Sequence, residues 1–300
     1  ITQGTGAIIN IILDPILIFG YFGLPRMEVT GAAVATVIGQ IVAFILAVLL
    51  NRKKNPDVQL DLRHFRPSGN MIGRILGIGV PSMLMIAIGS LMTYSFNLVL
   101  DRFNDPAAQV MLGETGKTVF GAYFKLQSFV FMPVFGINNA GLAIAAYNYG
   151  ARKPKRIMQV LKYGAFGATA LMLVGTLLFL LVPDVLLGFF NPDAEMLAVG
   201  EPALRIMCIP FLAAGVSIII NGIFQGLGKS QYSMYVSMMR QLIVLIPVAY
   251  LLSLSGDMGM VWFSFPIAEV ASLTLSIFLM LRLYRTKIRP LSAENHEITT

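Results

Sequence analysis

Long apolar stretches alternate with short charged segments along the whole chain. A helix that crosses about 30 Å of hydrocarbon needs about 20 apolar residues. Eight stretches reach this length, at residues 4–22, 29–51, 73–100, 118–143, 158–182, 199–225, 231–254 and 259–283. The pattern predicts an all-α, polytopic membrane protein with eight transmembrane helices in this sequence.

The composition agrees with a protein embedded in a membrane. Of its 300 residues, 56% are hydrophobic and only 12% are charged, and the mean hydropathy is +0.76. Soluble domains have about 25% charged residues, so this chain is too apolar for that class. The longest segments outside the predicted helices, 52–72 and 284–300, are too short for a soluble domain.

Basic residues mark one side of the predicted membrane. Connections on the cytoplasmic side of membrane proteins carry an excess of lysine and arginine. The second, fourth and sixth connections and the C-terminal segment carry this excess, at Arg52, Lys53, Lys54, Arg63, Arg66, Arg74, Arg152, Lys153, Lys155, Arg156, Lys162, Lys229, Arg282, Arg285, Lys287 and Arg289. The sequence therefore predicts a cytoplasmic C-terminus. Membrane topology explains the net charge of +7 without nucleic-acid binding.

The first predicted helix carries an aspartate, Asp14, in otherwise apolar sequence. A charge at mid-membrane costs roughly 2.5 to 3.5 kcal/mol, so an intramembrane aspartate normally faces a cavity, an ion or a partner. Asn10 lies one helical turn earlier on the same face, and both side chains could offer oxygens to one ligand. Alternatively, water or a hydroxyl satisfies Asp14, and Asn10 links neighbouring helices. Pro15 removes a backbone donor and frees a carbonyl group.

Two further groups of polar residues lie inside predicted helices. Lys125, with Tyr123 and Gln127, is a candidate for a cavity or gating role, although a lysine can also extend its charge to the membrane surface. Arg240 and Glu269 lie at similar depths in two consecutive antiparallel helices. We predict an ion pair between them, with a structural role.

The sequence offers no enzymatic centre. Gly226–Ser230 resembles part of a nucleotide-binding loop, but the nearest upstream glycine, Gly222, is one residue too far away for that motif. His64 and His296 both lie outside the predicted helices, so neither can serve a membrane-embedded metal. Cys208 is the single cysteine and cannot form an internal disulfide. We expect no enzyme activity and no cofactor.

Two distant segments share a pattern. Met27–Gln40 can be aligned with Gly256–Glu269, and the two segments lie six predicted helices apart. Repeated halves are common in transporters. A repeat of this kind implies six helices in each half, and therefore four helices upstream of Ile1. We expect such an upstream region, because the chain begins with isoleucine and its first helix has no basic flank.

The order of several motifs resembles the MATE (multidrug and toxic compound extrusion) family, and most closely its DinF-like branch. The motifs are Asn10-x-x-x-Asp14-Pro15, Gly31–Thr36, Phe120–Gly136, Tyr147–Arg152, Phe224–Gly228, Arg240-Gln241 and Trp262-x-x-x-Pro266-x-x-Glu269. They cover the whole chain. The resemblance implies a twelve-helix, two-lobe transporter. Residues 1–52 would be the last two helices of the N-lobe, 53–72 the cytoplasmic linker, 73–283 the six-helix C-lobe, and 284–300 a cytoplasmic tail.

The resemblance also implies a function and a site. Members of the family exchange organic cations and other drugs for Na⁺ or H⁺. In sodium-binding members, the ion site resembles Asn10, Asp14 and Thr36 here, completed by an aspartate on the first helix, which this sequence does not contain. Asp14 and Asn10 are therefore the candidate Na⁺ ligands. Another branch uses a glutamate in its seventh helix, but stretch 73–100 has no carboxylate.

The expected setting is the inner membrane of a prokaryotic cell. The expected partners are membrane lipid and small cationic or amphipathic substrates, and we expect a monomer. Two alternatives remain open at this point. A lipid-linked saccharide flippase of the wider superfamily would need a basic cavity, for which only Lys125, Arg205 and Arg240 are available. A non-transporting membrane scaffold would not need Asp14.

Overall fold

Helices make up almost all of the structure. The computed structural model describes residues 2–23, 25–54, 68–105 and 110–291. The helices are α1 (Thr2–Phe19), α2 (Glu28–Lys54), α3 (Gly69–Leu100), α4 (Leu112–Gly150), α5 (Pro154–Leu181), α6 (Pro183–Gly188), α7 (Ala194–Met207), α8 (Phe211–Gly226), α9 (Ser230–Met238), α10 (Ile246–Ser253), α11 (Met258–Val261) and α12 (Ser264–Leu283). Short 3₁₀ turns follow α1 at Tyr21–Gly23 and α3 at Asp101–Phe103.

The predicted membrane spans correspond to helices of the structure. Within the described ranges, seven helical spans are long and apolar enough to cross a membrane, and the bent pair of α7 and α8 adds an eighth. One of these spans runs over Ser230–Ser253 and includes both α9 and α10, and another runs over Met258–Ile288. The prediction of an all-α polytopic membrane protein is therefore confirmed.

The sixth predicted stretch, 199–225, is broken near its centre. The chain bends by 52° between α7 and α8. Pro210 stands directly before α8. Proline has no N–H to donate and disfavours the helical conformation of the residue before it. The prediction of one uninterrupted helix over 199–225 is therefore wrong, although the bent pair still counts as one possible span.

Several boundaries also differ from the predictions. The helix α4 has 39 residues, many more than the apolar stretch 118–143, because helical hydrogen bonding continues past the end of an apolar run. The short helix α6 was not predicted; it begins with Pro183, at a position where no backbone donor is required. Asn104–Asp105 and Val110–Met111 pair as a two-residue antiparallel ladder before α4.

Two segments have the wider π-helical hydrogen-bond pattern. Met239–Leu245 joins α9 to α10, and Tyr284–Ile288 extends α12. Single-turn π segments inside α-helices occur frequently at functional sites. Arg240 lies in the first of these segments, so the local backbone geometry at this residue is not that of an ordinary α-helix.

The chain divides into two compact units, Ile1–Ser68 and Gly69–Thr300. The first contains α1 and α2, and the second contains α3 to α12. The division falls within the predicted linker 53–72, of which residues 55–67 lie outside the described residues, as do residues 292–300 of the predicted tail. The assignment of these units to lobes of a larger transporter stays a prediction.

Aromatic side chains fill the interior of the second unit. The rings of Phe96 and Phe120 lie 4.5 Å apart, and Phe211 lies 5.2 Å from both Phe131 and Phe179. A second cluster, here called the α8–α12 cluster, includes Ile220, Phe224, Val236, Leu279 and Met280. It joins the C-terminal halves of α8 and α12 to α9.

Candidate functional site

Glycines bring the backbones of α1 and α2 into close contact. A Cβ atom added at Gly31 would lie 2.6 Å from the carbonyl oxygen of Leu17, and one added at Gly39 would lie 2.8 Å from that of Gly6. Both distances are too short for a real side chain, so only glycine fits at either position. Small residues are the usual means of close helix packing in membranes. The short separation allows side chains of α1 to reach α2.

Asn10, Asp14 and Thr36 lie together in this hairpin. The amide nitrogen of Asn10 lies 3.3 Å from Asp14 Oδ1 and 3.3 Å from Thr36 Oγ1. With the amide turned over, Nδ2 donates to Asp14 Oδ2 at 3.2 Å, and the carbonyl oxygen accepts from the backbone N–H of Thr36 at 3.2 Å. In either orientation Asn10 connects the carboxylate on α1 to the threonine on α2.

The three side chains present oxygen atoms to a common space. Thr36 Oγ1 donates to the carbonyl oxygen of Ala32 at 2.9 Å, which leaves its lone pairs free to accept. Asn10 and Asp14 are half-buried, and Thr36 is exposed. Carboxylate and carbonyl oxygens suit hard cations. Among the described residues, no group of three or more His, Cys, Asp and Glu side chains could hold a metal ion.

Pro15 lies directly after Asp14 inside α1, which continues to Phe19. A proline within a helix donates no hydrogen bond to the carbonyl four residues earlier, here that of Ile11. This carbonyl, three residues before Asp14, therefore lacks its regular helical donor. The Pro15 position is therefore consistent with a polar cavity beside the carboxylate.

We predict that Gly39→Ala weakens the hairpin. The added methyl group would meet the carbonyl oxygen of Gly6 and Cβ of Asn10, so α1 and α2 must separate. We expect a lower unfolding midpoint in detergent, because a lost close contact outweighs the gain of up to about 1 kcal/mol in helix propensity from glycine to alanine. The matched control is Gly4→Ala on α1, where the methyl group meets nothing within 4 Å. The control should raise the midpoint or leave it unchanged; equal effects of both substitutions would contradict the packing argument.

The structure does not bring Lys125, Tyr123 and Gln127 together as one group. Tyr123 is buried among aromatic rings, and its hydroxyl donates to the carbonyl oxygen of Met207 at 3.4 Å. Lys125 is exposed and stacks over Phe190, with Nζ 5.7 Å from the ring centroid. Residues two apart on a helix point in nearly opposite directions, which separates Lys125 from both neighbours. Tyr123 and Gln127 are one turn apart on the same face of α4. A cavity or gating role for any of the three residues stays a prediction.

Arg240 and Glu269 form the contact that the sequence predicts. Arg240 Nη1 donates to Glu269 Oε2 at 3.3 Å, with the arginine side chain 33% exposed and the glutamate side chain 6% exposed. Glu269 Oε1 is buried without a protein hydrogen-bond partner among the described residues. The pair connects α12 to the π segment Met239–Leu245, which the sequence analysis did not predict.

The sequence of the chain matches a protein-family model and several curated proteins. The MatE family model matches residues 81–251, more than half of the chain. "Multidrug export protein MepA" of Staphylococcus haemolyticus is 26% identical over 273 residues, which cover 91% of this chain and 57% of that protein. The protein of the same name from Staphylococcus saprophyticus is 26% identical over 96% of this chain and 60% of its own length. The chain thus spans less than two thirds of these curated relatives.

Solved structures show the same fold. A MOP superfamily transporter from Pyrococcus furiosus superposes with a TM-score of 0.83 at 22% identity, covering 97% of this chain and 62% of that one. The outward-facing conformation of a multidrug resistance MATE family transporter gives a TM-score of 0.80 at 23% identity, with coverage of 97% and 62%. These structures show the fold, and the family-model match over residues 81–251 shows that the chain belongs to the MatE family.

Proposed function

We propose that the protein is a secondary active antiporter, which exports organic cations and drugs in exchange for Na⁺ or H⁺. The observation that carries this proposal is the contact between Asn10 and both Asp14 and Thr36, which concentrates oxygen atoms inside a membrane-spanning hairpin. The name shared by its bacterial relatives, multidrug export protein, supports drug export.

The coupling step depends on the charge of Asp14. A proton or a metal cation neutralises the carboxylate, and the two compete for the same oxygen atoms. Asn10 orients the carboxylate through its amide nitrogen, while Thr36 Oγ1 accepts from the same amide or contributes to the ion. Binding or release of the cation changes the free energy of the hairpin that contains Asp14. A cation that binds one state of a transporter more tightly than the other can shift it between outward-facing and inward-facing states.

The remaining parts of the proposal concern the setting. We place the protein in the inner membrane of a prokaryotic cell as a monomer, with its C-terminus in the cytoplasm. Exposed apolar side chains such as Phe129, Phe166 and Phe278 provide surface for lipid. The substrates are small cationic or amphipathic molecules. Export proceeds by alternating access and requires no organic cofactor.

The flippase alternative receives less support from the side chains. A basic cavity for a lipid pyrophosphate would draw on Lys125, Arg205 and Arg240. Arg240 is paired with Glu269 at 3.3 Å, Arg205 lies 3.5 Å from Glu201, and Lys125 stacks on Phe190. Each cation already has a partner within the second unit, so these residues do not form a free basic surface.

Reconstitution tests the proposed function. The full-length protein in proteoliposomes should move a cationic dye such as ethidium when a Na⁺ or pH gradient is imposed, and dye movement should stop when an ionophore collapses that gradient. The control is liposomes without protein. Dye movement at the same rate with and without either gradient would contradict antiport. Transfer of a fluorescent lipid-linked saccharide without dye transport would favour the flippase.

A further inference from the structure

Several buried oxygen atoms in α8 and α12 have no hydrogen-bond partner among the described residues. One of them is Oγ of Ser264 at the start of α12, and the other five are Oγ of Ser217, Ser272 and Ser276, Oδ1 of Asn221 and Oε1 of Glu269. The three serines are at most 1% exposed, and Glu269 is 5% exposed. Buried polar groups in native proteins are nearly always hydrogen-bonded, to protein or to ordered water. Five unpaired oxygens on two adjoining helices therefore require an explanation.

These serines differ from other hydroxyl residues of the same helices and their neighbours. Thr176 donates to the carbonyl oxygen of Met172 at 2.9 Å, and Thr274 donates to that of Val270 at 2.8 Å. Such bonds within one turn are the usual solution for a hydroxyl in a membrane helix. Ser272 and Ser276 flank Thr274 on α12 but do not make this bond. Their hydroxyls therefore have no partner within their own helix.

Two contacts fix the alignment of α8, α9 and α12. Ser233 Oγ on α9 donates to the carbonyl oxygen of Asn221 on α8 at 3.0 Å. Arg240, two residues beyond the end of α9, meets Glu269 on α12 at 3.3 Å. Because α9 runs antiparallel to the other two helices, each step of one turn along α9 corresponds to a step of one turn back along α8 and α12.

This alignment arranges the unpaired oxygens in layers. The Arg240–Glu269 pair forms the first layer. One turn away, Ser217 and Ser272 come to the same level, and one further turn brings Asn221 and Ser276 together. At 1.5 Å per residue, the distance from Glu269 to Ser276 along α12 is about 10 Å. The layers follow one another along α8 and α12, and they are here called the polar column.

Apolar side chains close one end of the column. Phe224 follows Asn221 on α8, and Leu279 and Met280 follow Ser276 on α12; all three belong to the α8–α12 cluster. Phe224 is 0% exposed and Met280 is 5% exposed. This end lies toward Lys229 and Arg282, so the column is sealed from that face of the membrane.

We propose that the interface of α8, α9 and α12 binds a cluster of ordered water molecules between Glu269 and Ser276. A buried water usually makes about three hydrogen bonds to otherwise unpaired polar groups. Here the carboxylate, the hydroxyls and the amide oxygen supply acceptors and donors at each layer. The waters solvate the free oxygen of Glu269 and join three helices through hydrogen bonds that the protein atoms do not make themselves.

Radiolytic hydroxyl-radical labelling of the purified protein tests the occupant. Ordered internal water generates radicals in place, so Phe224 and Met280, which close the column, should be labelled several-fold more than side chains of equal burial elsewhere. The matched comparisons are Phe179 for Phe224 and Met196 for Met280. Labelling at the level of these comparisons means a dry interface and would overturn the proposal. A loss of labelling when Na⁺ is added would also overturn it, because a cation would then be the occupant.

Serine-to-alanine substitutions are a second test, because a hydrated interface and a dry interface predict changes of opposite sign in the unfolding midpoint. If water is bound, Ser272→Ala and Ser276→Ala each remove one of its partners and lower the unfolding midpoint. If the hydroxyls are dry and unpaired, the same changes relieve a buried polar group and raise the midpoint or leave it unchanged. Ser253→Ala is the control for deleting a buried hydroxyl that has a protein partner, the carbonyl oxygen of Tyr250 at 2.7 Å. A midpoint at or above that of the unmodified protein in both variants contradicts the water cluster.

Discussion

Replacing Asp14 with asparagine should abolish gradient-driven efflux of cationic dyes from proteoliposomes. The substitution keeps the size of the side chain but removes the charge that a coupling cation or proton neutralises. A unit charge about 4 Å from a cation contributes about 4 kcal/mol at an effective dielectric constant of about 20. Loss of only half of that energy weakens cation binding more than tenfold. The measurement is the initial rate of dye efflux under an imposed gradient.

The control for this prediction is Glu28→Gln. It removes a carboxylate from the same two-helix unit, but Glu28 is 68% exposed and lies 3.5 Å from the exposed Arg26, apart from the Asn10 contacts. We expect efflux close to that of the unmodified protein. Undiminished efflux in the Asp14→Asn variant would rule out the coupling role of Asp14 while leaving the water cluster in the second unit untouched.

Breaking the Arg240–Glu269 pair should destabilise the second unit in a non-additive way. Arg240→Ala leaves a carboxylate in the interior without its partner, and losses of about 3 to 5 kcal/mol are typical of such changes. We expect the lower end, because Arg240 is 33% exposed and water already reaches it. Glu269→Ala should cost less, since the arginine left behind can extend toward solvent. The double variant should lose little more than the worse single variant.

Denaturation in mixed detergent micelles measures this coupling through a double-mutant cycle. Residues in direct contact show interaction energies of about 0.5 to 3 kcal/mol. The matched control is the Glu201–Arg205 pair on α7, which lies at 3.5 Å but has side chains 35% and 51% exposed. Exposed pairs of this kind contribute about 0 to 1 kcal/mol. Additive losses at Arg240 and Glu269, equal to those of the control cycle, would show that their contact carries no energy.

The amino-acid sequence determined the class of the protein and the position of its spans. Apolar length alone is enough for this, because a membrane leaves little choice of structure: backbone groups in hydrocarbon must be paired within a helix or a closed barrel. The spacing of Asn10 and Asp14 also determined that they share a face of α1, since four residues make about one helical turn. Arg240 and Glu269 lie on consecutive predicted spans, which run antiparallel, so their positions in the sequence also placed them at similar depths.

The tertiary structure decided which side chains meet and where helices deviate from a regular form. Gly31 belongs to the motif Gly31–Thr36 and Gly39 to the segment Met27–Gln40, but their close approach to α1 appears only when both helices are packed. The burial of Tyr123 depends on neighbours that are distant in sequence, such as Phe179 and Phe211. The polar column of α8 and α12 could not be predicted for the same reason. Periodicity gives the face of one helix, but the partner of that face is set by packing between helices that local sequence does not encode.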